Sequence, residues 1–117
     1  MPTKKTKRGA PDRTLSAKEI SETRQKLAAM PELEKASELF NLAGSASRLK
    51  LLHLLQREED LPVGDLAARL GISIGAVSQH LTKLRIYGLV ASRREAQSLH
   101  YRLTDHPFNE ILRANFF

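Results

Sequence analysis

Apolar residues recur along this chain at helical spacing as far as about position 88, and then change to the alternation of a strand. Ser16 with Glu19 forms a capping box that opens a first helix, and Leu15 can staple onto Ile20 across the same turn. That helix ends before Pro31, which suits the first turn of a second helix with Glu32 and Glu34 near its positive end. Leu33, Ala36, Phe40 and Ala43 line one face of the second helix, and Gly44 stops it. A third helix starts near Ser45 or Ser47. Its leucines at 49, 51, 52, 54 and 55 point in so many directions that most of its surface must be buried.

The run Arg57-Glu58-Glu59-Asp60 is a polar break, and Leu61-Pro62-Val63 is extended because a residue before proline avoids the helical region. Asp65 to Leu70 is a short helix closed by Gly71. Ser73 caps a further helix that runs to about Tyr87, with Gly88 as its stop. Leu89-Val90 opens a strand, and Leu99, Tyr101 and Leu103 alternate with an outward Ser98, His100 and Arg102. The polar residues between the two strands form a hairpin tip, and a last helix of roughly ten residues follows Pro107. Helix, glycine turn, helix and hairpin in this order describe a mainly α (α+β) winged helix-turn-helix with a two-stranded wing and five to six helices.

The helix after Ser73 has two unlike faces. Val77, Leu81 and Leu84 share one at spacings of four and three, so they point to the core. Gly75, Ser78, Gln79, Thr82, Lys83 and Ile86 lie opposite. Small and amide side chains near a helix N-terminus suit the major groove: Gln pairs bidentately with adenine, and Ser bonds a base edge or a phosphate. An ordinary solvated helix face would also be polar. The context favours DNA, because Lys83, Arg85, Arg93 and Arg94 fall between Ser73 and Arg94 with no acidic residue. Arg93 and Arg94 suit a wing on the DNA backbone, or else charged gatekeepers on an edge strand. The candidate DNA-contacting residues are therefore Ser73, Gly75, Ser78, Gln79, His80, Thr82, Lys83, Arg93 and Arg94.

Composition agrees. The chain has 117 residues, 41% hydrophobic, and a formal net charge of +6. Residues 1–26 carry eight Lys/Arg against three Asp/Glu, residues 27–72 five against seven, and residues 73–117 six against three. A basic surface fits a polyanionic partner. The non-periodic residues 1–14 are expected to be a disordered basic arm, with residues 15–117 forming the binding and dimerisation domain. Cysteine is absent, which excludes disulfides and thiolate ligands. No apolar run approaches the length of a membrane span and no secretory h-region follows the basic start, so a cytoplasmic location is expected. No Gly-rich phosphate loop and no GxSxG occurs, so the chain is not read as an enzyme.

A set of residues carries a family likeness: Leu42-Ala43, Arg48-Leu49, Leu51-Leu52, Val63-Gly64-Asp65-Leu66-Ala67, Gly71, Ser73, Ala76-Val77-Ser78-Gln79-His80-Leu81, Leu84, Leu89-Val90, Arg93-Arg94, Tyr101 and Leu103. Over residues 36–106 the chain resembles the ArsR/SmtB family of bacterial winged-helix repressors. The resemblance implies a homodimer with its first and last helices at the interface. It also implies a palindromic double-stranded DNA operator, with the two reading helices in successive major grooves.

Many members of that family sense metals, and here the resemblance breaks. The family's ELCxC cysteines fall at Pro62 and Gly64, which offer no side-chain ligand. In its Asp-x-His site Asp105 matches, but the histidine position is Pro107, with His106 one residue early. No metal site and no cofactor are therefore expected, and the sequence names no effector. Ala96 stands where family wings usually carry glycine, which suggests a looser tip. Two alternatives stay open: a winged-helix module that binds protein rather than DNA, and a metal-responsive repressor with a different site.

Overall fold

The computed structural model describes residues 14–117, so the basic arm expected over 1–14 lies outside the described residues except for Thr14. The chain divides into two units, one ending at Glu34 and the other running Lys35–Phe117. In the first, α1 (Ala17–Ala28) begins at the capping box: Ser16 accepts from the Glu19 amide, and Glu19 accepts from the Ser16 amide at 3.0 Å. No residue of α1 is buried, and Ile20 and Leu27 stay exposed.

The second unit holds the sequence pattern almost element for element. Helix α2 (Pro31–Ala43) enters it at Lys35; α3 (Ala46–Arg57), β1 (Leu61–Pro62), α4 (Val63–Leu70), α5 (Ile74–Ile86), β2 (Val90–Glu95), β3 (Ser98–Leu103) and α6 (Pro107–Asn115) follow. Local chemistry sets the boundaries. The Ser45 and Ser73 hydroxyls cap α3 and α5 by accepting from the amides of Arg48 and Ala76. Gly71 and Gly88 close α4 and α5 at φ +71 and +79, left-handed values that a side chain disfavours.

Two features depart from the pattern. The sheet has three antiparallel strands in the order β1-β3-β2, because Leu61 and Pro62 pair with Tyr101 and His100. Pro62 is tolerated there because β1 is an edge strand. On α2, the apolar positions split between two faces. Leu39, Leu42 and Ala43 are buried, whereas Phe40 is 58% exposed, meeting Phe108 edge-on at a centroid distance of 5.2 Å.

The core is continuous through α2 to α6. Leu51, Leu52 and Leu55 of α3 meet Leu66 of α4, Val77, Leu81 and Leu84 of α5, and Leu89. Each fully buried aliphatic side chain stabilises the fold by roughly 1.5–3 kcal/mol, so the orientation of α5 is strongly determined.

Polar anchors join the wing to this core. Asn109 is buried on α6, and its Nδ2 donates to the carbonyls of Leu89 at 2.9 Å and Thr104 at 3.1 Å. It therefore clamps the start of β2 and the end of β3 against the last helix. At the base of the wing, Asp60 has φ +64 and its carboxylate receives Arg93 in a bidentate grip, Nε at 3.0 Å and Nη2 at 2.7 Å to Oδ2. Arg93 Nη1 also pairs with Glu95 at 2.8 Å. The wing tip is a two-residue turn, since Glu95 pairs with Ser98. The expected looser tip is not found: Ala96 takes φ +56 itself, at a cost of about 1 kcal/mol for a residue with a Cβ.

Two outcomes follow from these anchors. Asn109→Ala should cost about 1–3 kcal/mol in urea unfolding, because buried carbonyls lose a donor. The Arg93 hydrogen bonds hold the Asp60 carboxyl below its usual pKa, with the charges of Arg93, His100 and Arg102 adding to the effect. Its contribution is thus complete above the ordinary carboxylate range and lost as pH falls through the lowered value. Melting curves of Asp60→Asn should lie below wild type at neutral pH, and the gap should close in acid.

Candidate nucleic-acid interface

Helix α5 is held by one side and presented by the other. Val77, Leu81 and Leu84 are 0% exposed, as their spacing predicts, so the remaining face has only one direction to point. Gly75, Gln79, Thr82 and Lys83 are exposed on it and Ser78 is half-buried. Ser78, Gln79, Thr82 and Lys83 line a shallow concavity along the helix. The Ser73 hydroxyl is engaged as the N-cap, and Thr82 Oγ1 donates to the Ser78 carbonyl at 2.9 Å, leaving oxygen lone pairs to face outward.

A second groove, of about 510 Å³, runs between α5 and the wing. Ser78, Thr82 and Arg85 form one wall, and Arg94, Gln97 and Ser98 the other. Lys83, Arg85 and Arg94 have no ion pair among the described residues. The groove is therefore polar, cationic and open, matching a sugar-phosphate backbone better than an apolar ligand.

The candidate residues do not all line these grooves. Arg93 faces Asp60 and Glu95, which raise its already high pKa and cancel its charge locally. His80 is half-buried at the border with α3, its Nδ1 accepting from Arg48 Nε at 3.2 Å. Two residues outside the candidate set belong with it. Arg85 shares the groove wall, and was legible as a cation one turn beyond Thr82. Ile74 is 58% exposed in the first turn of α5, where an apolar side chain can meet a thymine methyl; no sequence signal separates it from a core residue.

The other histidines serve the fold. His106 caps α6, its Nδ1 accepting from the Phe108 amide at 3.0 Å. His100, expected to point outward, is half-buried, and its Nδ1–H donates to the Asp60 carbonyl at 3.0 Å, because β1 lies alongside this part of β3. His53 meets Phe117 edge-on at a centroid distance of 5.0 Å. Among the described residues no three His, Asp or Glu side chains gather as a metal would require. No described helix is long and apolar enough to cross a membrane.

Comparison with known proteins places this arrangement. Residues 45–92, from the cap of α3 into β2, match the model of "Bacterial regulatory protein, arsR family". The nodulation protein NolR of Rhizobium meliloti is 39% identical over 83 residues, 71% of this chain and 67% of NolR. The transcriptional activator HlyU of Vibrio cholerae is 43% identical over 70 residues, 60% of this chain and 64% of HlyU. The crystal structure of NolR from Sinorhizobium fredii superposes with a TM-score of 0.65 at 33% identity, covering 88% of this chain and 92% of that one. With its helix-turn-helix, wing and sequence all in agreement, the chain belongs to the arsR family of bacterial regulatory proteins.

Proposed function

We propose that this protein is a sequence-specific DNA-binding transcriptional regulator, acting in the cytoplasm as a homodimeric repressor on a palindromic operator. One observation carries the reading. The complete burial of Val77, Leu81 and Leu84 turns Ser78, Gln79 and Thr82 outward, beside the unpaired cations Lys83, Arg85 and Arg94. Helix α5 enters the major groove, where Gln79 reads a base edge, adenine being its natural bidentate partner. Ser73, Gly75 and Ser78 lie nearest the DNA at the helix N-terminus, where amide dipoles attract phosphate. Lys83, Arg85 and Arg94 set the register on the backbone. Arg93 acts one step back, fixing the wing through Asp60 rather than meeting DNA itself.

Dimerisation rests on apolar surface that the fold leaves uncovered. Ile20 and Leu27 of α1, Phe40 of α2, and Ile111 and Phe116 near the C-terminus are all exposed. Apolar side chains left exposed in this way belong in an interface, and a second copy of the chain supplies one with two-fold symmetry. Two reading helices then meet half-sites about one helical turn apart. Repression follows where that operator overlaps a promoter, whereas an operator placed elsewhere yields activation, as the name of the transcriptional activator HlyU indicates for that relative. No catalytic, cofactor or metal role is assigned, and the inducing signal lies outside the family's metal positions.

Genome-wide mapping of bound sites is the primary test. A DNA regulator gives discrete sites sharing one inverted repeat, whereas a protein-binding module gives none. On such a site affinity should fall steeply with added salt. Gln79→Ala should weaken specific binding by about 1–3 kcal/mol while leaving binding to random DNA nearly unchanged. Sedimentation of Phe116→Glu should show a folded monomer in place of the dimer, with operator affinity lost alongside.

A further inference from the structure

Arg48 is the polar residue that ties α2, α3 and α5 together. It lies in the first turn of α3, half-buried, and spends two N–H groups in different directions. Nη1 donates to the Leu42 carbonyl at 3.1 Å, one of the carbonyls that the end of α2 leaves without a helical partner. Nε donates to His80 Nδ1 at 3.2 Å, on the helix that carries the reading face. Two bonds from one planar guanidinium fix its plane, and that plane fixes the imidazole.

The consequence for His80 is chemical. A guanidinium only donates and is never deprotonated in proteins, so the nitrogen facing it must present a lone pair. The proton of the neutral ring then sits on Nε2, across the ring from Arg48. We propose that Arg48 is a positioning residue for DNA binding: it holds His80 as the Nε2–H tautomer, so that α5 offers a fixed, neutral donor to a backbone phosphate. This rests on the DNA-binding reading above.

The surroundings favour the neutral ring. Burial lowers the His80 pKa first, and the positive charges of Arg48 and Lys83 lower it further. The opposing charge nearby is Glu38 of α2, which lines one crevice together with Arg48 and Lys83. An imidazolium would have to turn a second N–H toward Arg48 Nε, so protonation breaks the contact that orients the ring. His80 therefore differs from its neighbours Lys83 and Arg85: it contributes a directed hydrogen bond without contributing charge.

Two substitutions separate the two ring nitrogens. Asn places an acceptor where Nδ1 sits and nothing at Nε2; Gln reaches the Nε2 position with a donor and gives up the contact to Arg48. In the full chain, His80→Asn should melt close to wild type yet bind a mixed-sequence duplex of about 30 base pairs about tenfold more weakly. His80→Gln should melt lower yet bind that duplex more tightly than His80→Asn. Nitrogen-15 spectra of the wild type without DNA should show Nε2 protonated and Nδ1 bare at neutral pH, and Arg48→Met should return the ring to a mixture of tautomers. A proton on Nδ1 in the wild type, or equal duplex affinity of wild type and His80→Asn, would overturn the proposal. Failure of the wild type to bind the duplex would instead sink the DNA-binding reading, and the phosphate role with it, while leaving the tautomer measurement intact.

Discussion

Val77, Leu81 and Leu84 fix the rotation of α5 about its own axis, and that rotation decides which side chains meet a groove. A helix turned by one residue moves its surface through about 100°, which would bury Ser78 and expose Val77. Three fully buried aliphatic residues packed against α3 and α4 make such a turn prohibitive. The polar face therefore needs no interactions of its own to stay in place. Gln79 and Lys83 are left with exposed side chains because the opposite side of the helix does the holding.

The wing is held differently, by polar contacts at its base. Asn109 grips the carbonyls of Leu89 and Thr104, and Asp60 grips Arg93. Because both anchors are directional, the hairpin leaves the core at a set angle, and Arg94 lands opposite Arg85 across one groove. Of two adjacent arginines, one is structural and its neighbour faces solvent, through the alternation of a strand.

Sequence reading recovered what local chemistry determines. The Ser16 and Ser73 caps, the Gly71 and Gly88 stops and the core stripe of α5 all rest on residues within a turn or two of one another. It did not reach what depends on pairing across the chain. Asp60 and Arg93 stand 33 positions apart, and Arg48 and His80 stand 32 apart. No periodicity links such partners, so neither pair was legible, and His100 read as an outward residue. Strand β1 has only two residues and exists through its pairing with β3, so no alternation pattern can announce it. The exposure of Phe40 escaped for another reason. An apolar position looks the same whether its own core or another molecule covers it.

Ala96 closes the hairpin in a backbone conformation that its own Cβ disfavours. The tip therefore has no stability to lend the strands; it borrows stability from the six residue pairs between β2 and β3. A slip of one position would turn every side chain of a strand to the wrong face and leave the strained turn unsupported. The wing is thus a cooperative unit with a single register: it cannot unravel gradually from its end, but must keep its whole ladder or give it up together.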